Sequence, residues 1–439
     1  MQVLAICIAV VDSVAITVLL PQVAAEFQSP QSTAIWVVNL YQIAVLGLLL
    51  PLASLGQRIG FRRIYLGGLL VLGAGAVLSA SAPSLAVLAL GRVIQGIGGA
   101  GVMAVNTALL RESIPASALA RALATFSTAT ALSMTLAPTL AALALSLGSW
   151  RWLYALLAPL TLAAAWVAAR LLPAARPVPA SPFHLPDALL NLLVFALFLL
   201  AARLMPSGVA LALLAASVVL GVLYLRLQTT RLHPLFPVDL LRRPLFALSL
   251  GSSVLAFTAQ MLGMVSLPFL LSGQFADPVR VGTVMSAWPA GILASTVAIR
   301  FVIGRVPSGL LGGLGMALVS LGLLLLALNA GSESVSGWAW RTALCGLGFG
   351  LFQSPNNHTI LSSAPADRSG SASGMLGTAR LTGQALGAVG TALIFSAFVP
   401  AEQSSRGVWV CLCCGAALAA VAALCSSMRL AAPAAGTDA

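Results

Sequence analysis

The stretch MQVLAICIAVVDSVAITVLLPQ, Met1–Gln22, runs apolar from its first residue and carries one charged side chain, Asp12, near its middle. A bilayer core takes about 20 apolar residues per helix, so residues 1–20 read as a membrane span. No basic residues open it and no A-x-A site closes it, which argues against a cleaved signal peptide. A charge at mid-span costs roughly 2.5–3.5 kcal/mol on insertion scales and normally faces a cavity or a partner. Asp12 is therefore a candidate functional residue as well as a marker of the fold.

Outward from this stretch the same pattern repeats along the chain. Apolar segments lie near 34–56, 64–81, 85–108, 122–146, 151–172 and 187–204. A second set lies near 208–225, 245–272, 281–300, 308–330, 338–361, 371–399 and 407–428. The 439 residues are 60% hydrophobic and 7% charged, against roughly 25% charged in a soluble domain. So few charges cannot cover a water-facing surface. The expected fold is an all-α polytopic membrane protein of about fourteen spans, with two six-helix bundles and two extra linking transmembrane helices.

The formal charge of +12 is carried by 22 basic residues, every one an arginine. With the N-terminus cytoplasmic, fifteen of the 22 fall in or beside loops on the cytoplasmic side, among them Arg58, Arg62, Arg63, Arg111, Arg121, Arg242 and Arg243. This is the positive-inside asymmetry, and it places both termini in the cytoplasm. Arginines in short gaps between spans meet anionic lipid rather than nucleic acid. The absence of lysine points to a GC-rich bacterial genome, hence to a bacterial inner membrane. It also excludes a Walker A loop and ATP-driven transport. The three histidines form no H-E-x-x-H motif, and the six cysteines lack zinc-site spacing. No cofactor or metal is expected; the coupling ion is the proton.

Two long stretches expected to face the cytoplasm, the Pro-rich 173–186 and 226–244, bracket two spans and leave six on either side. The expected organisation is a bundle at 1–172, a linker with two spans at 173–244 and a second bundle at 245–439. QRIGFRR at Gln57–Arg63 and FVIGRV at Phe301–Val306 repeat a Gly then an Arg in a tight turn. Transporters built from two such halves bind substrate where the halves meet.

Asp12 is the only carboxylate in the middle of an expected span. A carboxyl between apolar surroundings and a cation is suited to load and release a proton as access alternates. Arg92 is its expected partner. At 100° per residue, Arg92, Gly96, Gly99, Met103 and Asn106 form one stripe with Gln95 at its edge. The stripe reads either as a cavity wall or as a glycine face packed on another helix, with Arg92 snorkelling outward. Pro355, Asn356, Asn357 and His358 mark a weakened helix whose amides either bind substrate or satisfy the break. Arg380 lies between glycine triplets and needs a partner or a wet cavity. Trp36, Asn39, Tyr41, Gln42, Gln260, Met261 and Met264 read as pocket residues for varied apolar ligands, or as packing.

These segments resemble the fourteen-helix drug:proton antiporter branch of the major facilitator superfamily, essentially end to end. The residues that carry the resemblance are DSVAITVLLP at Asp12–Pro21, QRIGFRR at Gln57–Arg63, GRVIQGIGGAG at Gly91–Gly101 and LAPTLAALALSLGSWRW at Leu136–Trp152. HPLFPVDLLRRPLF, GLGFGLFQSPNN and RSGSASGMLGTARLTGQALG follow in order. The resemblance implies that Asp12 matches the branch's acid in the first span and Arg92 its basic residue in the fourth, the pair tied to proton coupling. It implies lipophilic cations or mixed antimicrobials as cargo. It further implies gating and packing roles for Gln57, Arg58, Gly60, Arg62 and Arg63, and for Ala137, Pro138, Ala141 and Ala142. The chain departs from the pattern at Gln57, where the branch has an Asp, and at Ala53, Ala137, Ala141 and Ala142, where it has glycines. Added methyls widen a close helix contact.

The function expected on these grounds is proton-coupled export of small lipophilic or cationic compounds by a monomer in contact with lipid, through alternating access. Two other readings stand beside it: a dedicated exporter of one metabolite, for instance an anion with Arg92 and Arg380 as its charge partners, and a membrane sensor that does not transport.

Overall fold

The computed structural model describes residues 2–113, 116–172, 185–205, 207–230, 238–299, 306–328, 334–363, 369–397 and 404–429. Among them, fourteen α-helices and one 3-10 turn follow one another. In order they are α1 Gln2–Glu26, α2 Gln31–Ile59, α3 Phe61–Ala80, α4 Leu85–Ser113, α5 Ala116–Ser146, α6 Arg151–Leu171, α7 Leu185–Arg203 and α8 Gly208–Thr230. The 3-10 turn Val238–Arg242 precedes α9 Pro244–Gln274, α10 Pro278–Ala298, α11 Ser308–Ala327, α12 Val335–Ser362, α13 Ser369–Ala397 and α14 Ser404–Met428. Among the described residues, eleven of these helices are long and apolar enough to cross a membrane. The other three, α5, α12 and α13, are 31, 28 and 29 residues long. The chain is thus an all-α membrane protein of about fourteen spans.

Contacts divide it into two units, Met1–Leu235 and Phe236–Ala439. In the first, α1 and α2 are mostly buried, whereas only 17% of the apolar window of α8 is covered, so α8 is a peripheral, lipid-facing helix. Leu70 and Val77 on α3, Leu156 and Trp166 on α6, and Val218 and Val219 on α8 are exposed large apolar side chains. In water they would form patches prone to association; hydrocarbon accepts them. The second unit repeats the arrangement with Leu314 and Leu321 on α11 and Leu424 on α14.

Lipid tails are as apolar as leucine, so glycine-mediated backbone approach takes over from hydrophobic burial in holding such helices together. A Cβ at Gly68 of α3 would lie 2.9 Å from the carbonyl oxygen of Gly98 on α4, and one at Gly75 would lie 2.7 Å from the Gln95 amide nitrogen. The face of α4 toward α2 is closed by Gly96, against Ala44 and Tyr41, and by Gly99, against the Tyr41 hydroxyl. In the second unit, Gly383 and Gly387 bring α13 onto the carbonyls of Val254 and Thr258 in α9. Leu240 of the 3-10 turn packs with Phe246, Ile360, Ala372 and Met375, which anchors the turn to this unit.

Termini are capped where the sequence allows. Asp277 accepts a hydrogen bond from the Val279 amide at 2.9 Å, with Pro278 opening α10, and Ser334 accepts from Gly337 at 3.1 Å before α12. Such caps satisfy orphan amides of the first turn. Between α2 and α3, Gly60 has φ 99° and ψ 132° while its amide donates to Gly56 O at 2.9 Å. Only glycine occupies such positive-φ backbone without strain. Gly60→Ala is expected to cost roughly 1–3 kcal/mol, read as a lowered midpoint of thermal unfolding; an unchanged midpoint would mean that the turn relaxes freely.

Candidate functional site

Five helices of the first unit converge on one carboxylate. Asp12 comes from the middle of α1, where it is 1% exposed; Arg92 and Gln95, both 0% exposed, lie three residues apart on α4 and face it together. Arg92 Nη1 donates to Asp12 Oδ1 at 2.8 Å, and Gln95 Nε2 donates to the same oxygen at 2.7 Å. Gln95 Oε1 accepts from Ser79 Oγ of α3 at 2.9 Å and from Arg92 Nη1 at 3.2 Å. The amide can stand only this way round, since the reverse would point NH2 at a guanidinium and a carbonyl at a carboxylate. The guanidinium carbon lies 4.2 Å from the centre of the Tyr41 ring of α2 and 5.9 Å from that of Tyr154 of α6, within cation–π range.

Close helix packing makes this geometry possible. Gly75 and Gly91 let α3 approach α4 so that Ser79 reaches Gln95, and Gly99 leaves room for the Tyr41 hydroxyl. The stripe read on α4 is therefore a packing face at Gly96 and Gly99, while Arg92 turns inward rather than snorkelling. Among the described residues, four buried polar atoms of the cluster have no hydrogen-bond partner: Asp12 Oδ2, Arg92 Nε and the hydroxyls of Tyr41 and Tyr154. Asp12 thus keeps one oxygen in charge-assisted bonds, while the other has no partner among the described residues.

The other residues singled out in this unit lie on α2, α4, α5 and the α2–α3 turn. Asn39 and Asn106 are buried, and both polar atoms of each side chain lack a partner among the described residues. Trp36 and Gln42 are buried and Met103 is half-buried. In the α2–α3 turn, Gln57, Arg58 and Arg63 are exposed, while Arg62 Nη2 donates to the carbonyl of Ala169 at 2.6 Å. That carbonyl belongs to the last turn of α6, where the helix supplies no N–H donor of its own. Ala137, Pro138, Ala141 and Ala142 are buried in α5.

The remaining candidates belong to the second unit. Gln260 and Met264 are buried in α9. Asn356 Nδ2 donates to Ser249 O at 3.2 Å and to Ser253 Oγ at 2.7 Å, which ties α12 to α9. Asn357 is half-buried and His358 exposed. Arg380 is half-buried, with no hydrogen bond or ion pair among the described residues. Described acids of this unit are Asp239 in the 3-10 turn and Asp277 at the α10 cap, so neither lies at mid-span.

Several participants went unread in the sequence. Ser79 and Tyr154 complete the cluster, yet each is an ordinary residue in an apolar run. At one end of the unit, Glu26 binds both Trp150 and Arg151, whose Nη2 also donates to Ala82 O at 2.8 Å. Trp150 and Arg151 belong to the Trp-Arg-Trp run, which was the available signal. Asp187, 3% exposed in the first turn of α7, is a second buried acid and accepts from Gln228 of α8 at 3.1 Å.

Residues 3–388 match the family model of the Major Facilitator Superfamily. The chain is 43% identical to the Uncharacterized transporter YebQ of Escherichia coli (strain K12) over 437 residues, 98% of this chain and 94% of that protein. It is 27% identical to the Multidrug efflux pump LfrA of Mycolicibacterium smegmatis, over 88% of this chain and 78% of that protein. Among solved structures, the peptide transporter POT in complex with sulfate matches with a TM-score of 0.72 at 14% identity, over 98% of this chain and 93% of that one. At that identity the likeness is one of fold.

Proposed function

The chain belongs to the Major Facilitator Superfamily and is a small-molecule transporter rather than an enzyme, and on that premise we propose that it is a proton-coupled exporter of small lipophilic or cationic compounds, with Asp12 as the coupling group. The observation that carries this reading is the buried ion pair of α1 and α4, in which one carboxylate oxygen is held by Arg92 and Gln95 and the other has no partner among the described residues. A proton placed on Oδ2 cancels the charge that balances Arg92. A buried guanidinium without a counter-charge costs several kcal/mol, so the proton-loaded protein favours a conformation in which Arg92 reaches water or an anion. Proton release restores the pair. The cluster is thus a two-position switch that opposite membrane faces can reach in turn.

Recognition of cargo is assigned to Trp36, Asn39, Gln42, Met103 and Asn106 in the first unit and to Gln260 and Met264 in the second, where aromatic, amide and thioether groups suit varied ligands. The relatedness to a multidrug efflux pump supports this cargo class. The arginine asymmetry supports an inner-membrane location with both termini cytoplasmic.

The test is proton movement in proteoliposomes carrying a pH-sensitive dye. Addition of ethidium to the wild-type protein is expected to change internal pH, and an imposed pH gradient to drive ethidium against its concentration. Proteoliposomes in which neither ethidium nor other lipophilic cations move protons would refute coupled drug export. A second reading, export of an anionic metabolite, is favoured by Arg380, a half-buried cation with no partner among the described residues. A thermal-shift panel separates the two, since stabilisation by anions that is lost in Arg380→Gln supports the second.

A further inference from the structure

Proline in a helix lacks the N–H that would bond the carbonyl four residues earlier. Pro51 sits inside α2, so the carbonyl left without its usual donor is that of Gly47. Gly47 is buried, and in a bilayer no water comes to such a carbonyl. Asn191 of α7 supplies the missing donor: its Nδ2 lies 2.8 Å from Gly47 O, in a buried contact. The same glycine permits the approach, since a Cβ at position 47 would lie 2.8 Å from Leu192 Cδ1 and 3.7 Å from Leu192 Cα.

Two further sets of contacts make the tie directional. Eleven residues up α2 from Gly47, Trp36 lies beneath the guanidinium of Arg203, which is twelve residues along α7 from Asn191, at 5.9 Å. The helices therefore run antiparallel in a constant register over roughly 17 Å. Behind α7, α8 is fastened by Ser217 Oγ to Val194 O at 2.9 Å and by Gln228 to Asp187 at 3.1 Å. The α7–α8 hairpin is held internally and bolted to α2 at its one break. We propose that Asn191 is a positioning residue that sets the hinge of α2 at Pro51, and that the two linking helices act as a strut on the helix that carries Tyr41 above the break and the Gln57–Arg63 turn below it.

The inference stands apart from the identity of the cargo, and its test uses the full-length protein in lipid nanodiscs. Asn191→Leu removes the donor at similar volume. It is expected to lower the thermal midpoint by roughly 2–4 °C and to raise amide hydrogen exchange in residues 43–58 of α2 while leaving the second unit unchanged. Pro51→Ala restores an N–H to Gly47 O from within α2, so Asn191→Leu/Pro51→Ala should recover both the midpoint and the exchange protection. Wild-type behaviour of Asn191→Leu overturns the proposal. So does a double variant as impaired as Asn191→Leu when Pro51→Ala alone is sound, since Asn191 would then serve some other contact. If Asn191→Leu alone fails to fold, recovery of folded protein in the double variant supports the proposal, and its absence beside a folded Pro51→Ala overturns it.

Discussion

Asp12→Asn is expected to abolish gradient-driven efflux, down to the level of protein-free liposomes, while exchange of cargo across a membrane without a pH gradient persists. Asparagine matches the neutral carboxyl in shape and can still accept from Gln95 Nε2 and Arg92 Nη1 through its carbonyl, at the position of Oδ1. Its NH2 then occupies the place of Oδ2, the atom without a partner. The variant is thus fixed in the proton-loaded condition and cannot release. Uptake of labelled ethidium into proteoliposomes, measured once with an imposed pH gradient and once as counterflow, separates the two activities. Gradient-driven transport at the wild-type rate would remove Asp12 from the coupling step. Loss of both activities with an unchanged thermal midpoint would instead place Asp12 in cargo binding, and the coupling group would have to be sought elsewhere.

How much of this was legible beforehand depends on what each residue contrasts with. Asp12 stands out because one acid in an apolar run has no alternative explanation in lipid, and Arg92 stands out because a charged stripe of α4 can be drawn from helical spacing alone. Their meeting needs only that α1 and α4 turn those positions toward each other. Ser79 and Tyr154 show where the reading stops. α3 is apolar on nearly every side, so periodicity cannot say which face is inward, and the choice falls to Gly68, Gly75, Gly91 and Gly98 through backbone approach to α4. Asp187 and Asn191 were lost for a different reason. An acid at the start of an apolar segment reads as a headgroup-level residue, yet α8 and the docking of α7 on α2 bury it. The two linking helices, set apart by the Pro-rich flank in the sequence, belong by contact to the first unit. For Asn356 the open choice between ligand and helix repair turns on its bonds to Ser249 and Ser253, which tie it to α9.

Stability should respond most to Arg92. Replacing it with leucine leaves Asp12 buried among Tyr41, Tyr154 and Gln95 without its cation, and breaking one half of a buried pair typically costs 3–5 kcal/mol, so a loss of about that size is expected. The thermal midpoint should fall on the order of 10 °C. Removing both charges tells a different story, because a buried pair replaced by uncharged groups of similar volume is often neutral. Arg92→Leu/Asp12→Asn should therefore recover most of the lost midpoint while remaining unable to couple protons to transport. The cycle of wild type, two single variants and the double variant, followed by intrinsic tryptophan fluorescence in detergent, isolates the pairwise energy. Additive losses would mean that Arg92 and Asp12 act independently, contrary to a contact of 2.8 Å between two fully buried charges. Recovery would carry a further implication. If the fold holds equally well without either charge, the pair contributes little net stability, and its place at the centre of five helices is better explained by what happens when a proton breaks it.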